Sequence, residues 1–400
     1  MESGGFFLYD KGYRDSNRTG KGTPAMKTVS EILGGAQILL GISFNLQDSF
    51  EEYLAEEHRC FLAMLRLIEE AQPSIAVVRR CRGRIPYENE PIMRAFLARH
   101  FFRIATIEGL RNRLLNDPNL RMICGFLDGV PSTPTFSRRL SAFCSKPLLT
   151  QTLNKMVESY QKDRLVGHIN RDSTAIPVRE TPVNKKKDVT PVEKPKHKRG
   201  RPRKGDARPA KAPTTVECQA GRSARNSLSK LQKDCAWGCK KNSQGKVSYW
   251  KGYKLHLDVT DSGLPVTAIV TGANVHDSQA AIPMEKLTEK KVQHLYSLMD
   301  AAYDAKPIID YIRGQNRVPL IDPNKRKGTD QRVFDPAEQN RYKTRTTVER
   351  ANAHLKDWLL SSQIFVRGFQ KVSFLLMCSV VCLAALKILQ YFVLPSLSVV

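Results

Sequence analysis

The sequence is short of acid. Against 64 lysines and arginines it sets 39 aspartates and glutamates, a formal net charge of +25 at pH 7. A deficit of that size points to a polyanionic partner. Nucleic acid is the first candidate, although ribosomal, chromatin and membrane-surface proteins share the same balance. A disulfide framework is also missing, because the nine cysteines are odd in number and scattered. The N-terminal residues MESGGFFLYDKGYRDSNRTGKG hold no apolar run of signal-peptide length, so reduced thiols in the cytoplasm are expected. No uninterrupted apolar run reaches the roughly 20 residues of a membrane span. The longest, from Val372 toward Pro395, is broken at Lys387 and is expected to be a buried terminal helix, with Cys378 and Cys382 one turn apart as core side chains. Zinc-ligand spacing is poor as well, since Cys218, Cys235, Cys239 and His197 form no pair of closely spaced ligand couples.

What is present is a 400-residue chain with an ordinary apolar fraction of 41%, enough for two or three domains. Residues 1–30 read as a flexible basic tail and residues 31–150 as a helical domain suited to DNA. Within it, Pro91–Phe126 repeats apolar residues at spacings of three and four, and Asp117-Pro118 marks a helix start. Asp128-Gly129 predicts a turn, followed by a helix capped by Ser132 or Thr133 with Pro134 at its first position. That helix would expose Thr135, Ser137, Arg138 and Arg139. Two short helices about a Gly-containing turn resemble a helix-turn-helix, with Arg138 and Arg139 as candidate DNA contacts; a plain packing hairpin fits equally well.

The second half changes period. Val166–Val178, Lys246–Thr260 and Leu264–Gly272 alternate as strands, the last two joined at Asp261-Ser262-Gly263. A helix is expected over Ser278–Lys290, a strand over His294–Asp300, a helix over Ala305–Gln315, a strand over Val318–Pro323, and one long helix from about Asn340 to Leu360. Three strands followed by helix–strand alternation is the pattern of a ribonuclease-H-like mixed sheet flanked by helices, here spanning residues 160–400 after an all-α N-terminal domain. An interruption at residues 180–245 splits it. From Val183 to Ala212 this carries 12 Lys/Arg and 3 Asp/Glu, a composition that cannot bury a core. Its Lys198–Lys204 run centres on Gly-Arg-Pro and resembles an AT-hook, with Arg199, Arg201 and Arg203 entering the minor groove of A·T-rich DNA; a solvated linker or phosphate clamp is the alternative.

The long helix carries the chemistry. At about 100° per residue, Tyr342, Arg345, Glu349 and Lys356 fall within about 60° of one another. Such a stripe could place an acid on a metal and cations on phosphates, or be a solvated charged face. Asp172 in the first strand and Asp300 at the end of a later one could meet at neighbouring strand ends, and a helix packed there could add Glu349. Three carboxylates at one place repel until divalent cations bind them, and Mg²⁺ (or Mn²⁺), as a pair of ions, suits oxygen ligands and phosphodiester chemistry. Of the other acids nearby, Asp277 is expected to cap the helix after Ser278, and Asp304 to cap the helix near Ala305 or support the site from behind. His256 and His276 read as structural, with His256 near enough to approach the metal site.

Tyr342-x₂-Arg345-x₃-Glu349-x₆-Lys356 resembles the Y-R-E-K signature of bacterial insertion-sequence DDE transposases. Asp300-Ala-Ala-Tyr303-Asp304, Arg171-Asp172-Ser-Thr174, Trp250–His256 and Asn274–Ser278 are similar to other segments of that family, and the likeness covers roughly residues 90–390. The resemblance implies a DDE triad of Asp172, Asp300 and Glu349, with Tyr342, Arg345 and Lys356 on the transposon end. The reaction implied is metal-dependent hydrolysis at that end, followed by strand transfer into target DNA. Partners would be duplex inverted-repeat ends and target DNA, handled by a homodimer at the nucleoid in the cytoplasm, away from any membrane. The chain departs from some relatives in lacking a large β insertion between Pro323 and the long helix. A DNA-binding relic without activity and a nuclease on the same fold are the competing readings; no triad carboxylate is missing.

Overall fold

The computed structural model describes residues 53–73, 87–182, 213–241, 244–324 and 333–393. The basic tail, the start of the expected helical domain and the AT-hook-like segment with Arg199, Arg201 and Arg203 lie outside the described residues.

Among the described residues six helices come first: α1 (Glu56–Ala71), α2 (Asn89–Phe101), α3 (Ile107–Asn116), α4 (Pro118–Cys124), α5 (Thr133–Phe143) and α6 (Leu148–Gln161). Asp117 divides α3 from α4, since its carboxylate accepts the Leu120 N–H at 2.9 Å while Pro118 opens the new helix. His58 of α1 meets the same carboxylate at 3.0 Å, so one acid both caps a helix and ties two together. Gly125, at φ 89°, ends α4 in the left-handed conformation that glycine tolerates best. Ser132 stands at the N-cap of α5 but makes no side-chain bond to the helix amides, its hydroxyl meeting that of Thr135 at 3.1 Å instead.

The strands are β1 (Leu165–Pro177), β2 (Ala236–Lys241), β3 (Val247–Val259), β4 (Pro265–Gly272), β5 (Gln293–Met299) and β6 (Val318–Ile321). β1 runs antiparallel to β3 and parallel to β5, β4 pairs with β3, and β6 pairs with β5. The order β4–β3–β1–β5–β6, antiparallel on one side of β1 and parallel on the other, is the ribonuclease-H-like arrangement expected. Helices α9 (Ser278–Thr288) and α10 (Lys306–Gly314) provide the crossovers. β1 is 13 residues long and lies between β3 and β5, which makes it the fixed element from which the site is built.

The low-core composition of the interruption belongs to residues 183–212, which lie outside the described residues. The part that follows folds as α7 (Thr215–Ala220), α8 (Ala224–Lys230) and β2, which lengthens the sheet along β3 and for which the sequence pattern predicts no elements. These helices are short and capped locally, by a Thr214–Glu217 capping box and by Ser223, and are too brief to show a period. Gly238 in β2 lies under the Trp250 ring, where a Cβ would come within 2.5 Å of the indole. The long helix, expected as one, is not one helix. It divides into α11 (Pro336–Tyr342), a 3₁₀ turn (Lys343–Arg345), α12 (Thr346–His354) and a π turn (Leu355–Leu359). A pattern of charges at helical spacing does not report such changes of winding.

The last helix, α13 (Phe369–Ile388), continues into a π turn ending at Val393. Its most apolar 18 residues are 89% buried within the fold, as in a core helix. It packs against α1, α2, α6 and β4, and one hydrophobic core runs from the N-terminal helices into the sheet. Phe96, Phe143 and Phe374 meet at its centre, with ring centroids 6.1–6.3 Å apart. Cys378 and Cys382 are buried here, as expected, and all eight cysteines among the described residues are free.

Candidate active site

The site begins in β1, where side chains alternate between the two faces of the sheet. Arg171 points to one face and is buried in a cluster of ions: its guanidinium donates to both oxygens of Asp258 at 2.7 Å, to Glu285 at 2.9 Å and to the Ala281 carbonyl at 3.0 Å. The latter two belong to α9, so Arg171 bolts β1 and β3 onto that helix. Asp172 points the other way, toward α12, where Asn352 Nδ2 donates to its Oδ2 at 3.0 Å. The parallel register pairs Asn170 with Leu298, and two residues further along it brings Asp172 beside Asp300 on the same face.

Asp300 follows the last residue of β5 and caps the 3₁₀ turn Ala301–Tyr303, accepting the Ala302 N–H at 3.1 Å. Glu349 comes from α12. Arg345, one turn earlier, joins the three. Its guanidinium donates to Glu349 at 2.7 Å and lies 3.9 Å from oxygens of both Asp172 and Asp300. The carboxylates are graded in exposure: Asp172 is 20% exposed, Asp300 37% and Glu349 51%. Burial pushes Asp172 up to about 6, with Arg345 opposing and Asp300 adding to the rise. Burial raises Asp300 too, again against Arg345 and with Asp277 adding. Excess negative charge therefore collects at this point, held by one arginine.

The other expected residues sort by environment. Tyr342 donates its hydroxyl to the Met299 carbonyl at 3.1 Å, which braces the strand end just before Asp300. Lys356 is exposed on the π turn. Burial lowers its pKa, as does neighbouring Lys240, while Asp172 acts in the opposite direction. Arg139 is half-buried and donates to Asn89 at 3.1 Å and to the Tyr87 carbonyl at 2.8 Å, whereas Arg138 is exposed. Asp277 does not cap α9 with its side chain, because Lys254 from β3 takes the carboxylate at 2.9 Å. Asp304 does not cap α10 either; it accepts the Asn324 N–H at 3.0 Å. His256 is fully buried and bonded to the Thr271 hydroxyl at 2.9 Å, with burial bringing it down to about 4, so it faces the sheet's own side chains. His276 meets the Ser278 hydroxyl at 2.8 Å.

Two contributors were missed. Asn352 lies one turn beyond Glu349, and that spacing was a signal available in the sequence. Lys240 gave no such signal. It lies in the interruption far from the acids in sequence, and β2 carries it close enough to draw down both Asp172 and Asp300.

For divalent metal, the donor chemistry fits: three carboxylates with hard oxygen donors and a surplus of negative charge. They are arranged about the Arg345 guanidinium and not about a common point, and among the described residues no three acidic, histidine or cysteine side chains form a ready ligand cluster. Binding would require the acids to turn away from Arg345.

No curated protein and no solved structure matches the chain. The family model described as the transposase DDE domain matches residues 171–385, which begins in β1, ends in α13 and includes all three carboxylates. With that match over more than half its length, laid on a ribonuclease-H-like sheet, the chain belongs to the DDE transposase family.

Proposed function

We propose that the chain cuts DNA at transposon ends and transfers the exposed 3′-hydroxyl into target DNA, with Asp172, Asp300 and Glu349 as its triad. The observation that carries this reading is the meeting of three carboxylates, from β1, the end of β5 and α12, on one guanidinium. Family membership supports a DNA-acting enzyme and divalent metal. The Y-R-E-K spacing supports placing the chain among the insertion-sequence branch.

Two Mg²⁺ (or Mn²⁺) ions held by the triad would supply activation of the attacking oxygen and stabilisation of the leaving one. The chain's own residues do the rest. Asn352 fixes the rotamer of Asp172, and the 3₁₀ turn fixes Asp300. Glu349 is the most exposed of the three and is the one that Arg345 holds directly. Arg345 exchanges its carboxylates for a phosphate of the transposon end, which frees the acids for metal at the moment DNA arrives. Lys356 and Lys240, both exposed, hold flanking phosphates. Tyr342 keeps the end of β5 in place beneath them. Arg138 and the basic segment with Arg199, Arg201 and Arg203 extend the contact along duplex DNA, and two copies of the chain pair the two ends.

The deciding experiment is strand cleavage and strand transfer on a plasmid carrying the flanking inverted repeats. It compares the unaltered chain with Asp172→Ala, Asp300→Ala and Glu349→Ala, with and without Mg²⁺. Metal-dependent activity lost in each variant, with end binding intact, is the expected result. End binding by the unaltered chain with no cleavage in Mg²⁺ or Mn²⁺ would favour a silent DNA-binding relic.

A further inference from the structure

The hairpin formed by β2 and the first half of β3 extends past the strands that carry the acids. Its register pairs Trp237 with Lys251 and Cys239 with Tyr249. These residues share one face, and Trp237 and Tyr249 are diagonal neighbours across the two strands. Both are strongly exposed, Trp237 at 59% and Tyr249 at 71%, with Val247 beside them at 43%. An aromatic pair so exposed on a sheet face calls for a partner. The opposite face is anchored: Trp250 covers Gly238, and its indole N–H donates to the Tyr253 carbonyl at 3.4 Å. The exposed aromatics therefore stand on a braced arm.

The charge of the arm selects the partner. From Cys235 to Gly252 the chain has lysines at 240, 241, 246 and 251 and no aspartate or glutamate. Lysine-rich edge strands disfavour pairing with a second copy, and an acidic polymer suits them. The arm lies beside the candidate site, since Lys240 on its other face acts on Asp172 and Asp300. Aromatic faces interleaved with lysines are how proteins hold unpaired nucleotides, whose bases stack while phosphates meet the cations. A duplex keeps its bases stacked inside and offers such a face little beyond its ends.

We propose that the Trp237–Tyr249 face of this arm binds single-stranded DNA, taking the unpaired strand that leaves the candidate site. The inference rests on the proposed action on DNA, but its test requires no cleavage.

The full chain is titrated with a 20-nucleotide oligothymidylate and with a 20-base-pair duplex of mixed sequence, at one salt concentration. Tryptophan emission is read together with affinity. The sequence has three tryptophans, Trp237, Trp250 and Trp358, so a Trp358→Phe background narrows the signal to the arm. Oligothymidylate should quench that emission. The double substitution Trp237→Ala and Tyr249→Ala should weaken oligothymidylate binding by about ten-fold or more and duplex binding by less than about three-fold. The pair Trp237→Phe and Tyr249→Phe keeps two stacking faces and should retain most of the affinity. Equal losses on the two ligands, or unchanged oligothymidylate binding by the alanine variant, would overturn the proposal. So would a change in oligomeric state by light scattering with DNA binding unaltered, which would make the face a contact between copies. Failure of the unaltered chain to bind either DNA would overturn the proposed function along with it. Intact binding and cleavage without the single-strand preference would remove only this inference.

Discussion

Arg345 donates to Glu349 across one turn at 2.7 Å while standing 3.9 Å from Asp172 and from Asp300, so a single guanidinium offsets part of the charge of three acids. Replacing it with glutamine leaves those acids facing one another. Arg345→Gln should melt at lower temperature than the unaltered chain in chelator. Mn²⁺ should then raise its melting temperature by more than it raises that of the unaltered chain, because the ion no longer competes with a resident cation. The Arg345–Glu349 pair is partly exposed, which limits the loss in chelator to about 1 kcal/mol, or a few degrees. Equal Mn²⁺-induced shifts in the two proteins would show that Arg345 does not stand in for metal charge.

Asn352 is buried, and its side-chain amide donates to Asp172. Its part is to position. Outer partners of this kind are worth about 10–100-fold in metal affinity or activity. Asn352→Ala should therefore lower the cleavage rate in that range while leaving DNA affinity within about two-fold. A rate unchanged at saturating Mg²⁺ would remove Asn352 from the site.

Much of this arrangement is visible in the order of residues, for a physical reason. Strand alternation in Val166–Val178 and the β–α alternation after Gly272 are local consequences of burial on a sheet, so the topology and the meeting of Asp172 with Asp300 follow from them. Glu349 is found the same way, by spacing. The rest depends on contacts between distant residues. Asp277 could be expected to cap α9 only while Lys254 was not known to face it. Tyr342 sat on the charged stripe, but the change of winding at Lys343–Arg345 and the Met299 carbonyl set its hydroxyl. Lys240 reaches the acids only because β2 joins β3, a pairing that a six-residue strand does not announce.

Behind the site, Arg171 is 1% exposed with Asp258 and Glu285 at 0% and 1%. Burial disfavours the charged form of Glu285, yet Arg171, then His294 and Arg317, bring it down to about 2. Arg171→Met would leave two buried carboxylates short of their main partner. Breaking a buried pair on one side costs about 3–5 kcal/mol, far more than the loss expected at Arg345. Urea denaturation should show a correspondingly lower midpoint, and substituting Glu285→Gln in the same chain should recover part of it. A change below about 1 kcal/mol would mean that the cluster does not bolt β1 to α9.

The stability of the chain should also fall as the solution is acidified, beginning well above the carboxylate range. His100 of α2 is buried against α13, its Nδ1 2.8 Å from the Ser379 hydroxyl and 3.1 Å from the Leu359 carbonyl. Burial, aided by neighbouring Arg99, lowers its pKa to about 3 from an ordinary 6.5. Above 6.5 the imidazole is neutral in both folded and unfolded chains and stability does not depend on it. Between 6.5 and 3 the unfolded chain takes up a proton that the folded chain refuses, so stability declines as pH falls. His256, brought down to about 4 by burial, acts in the same direction. Asp172 acts oppositely: held up near 6 when folded, its carboxylate is relieved by acid. A comparison with His100→Asn separates these contributions, since only one of them is removed. The variant should be the less stable protein at about pH 7.5, having lost packing, and the gap should narrow toward about pH 5. A gap that stays constant across that interval would show that His100 titrates alike in the folded and unfolded chains, and that the contact between α2 and α13 admits water.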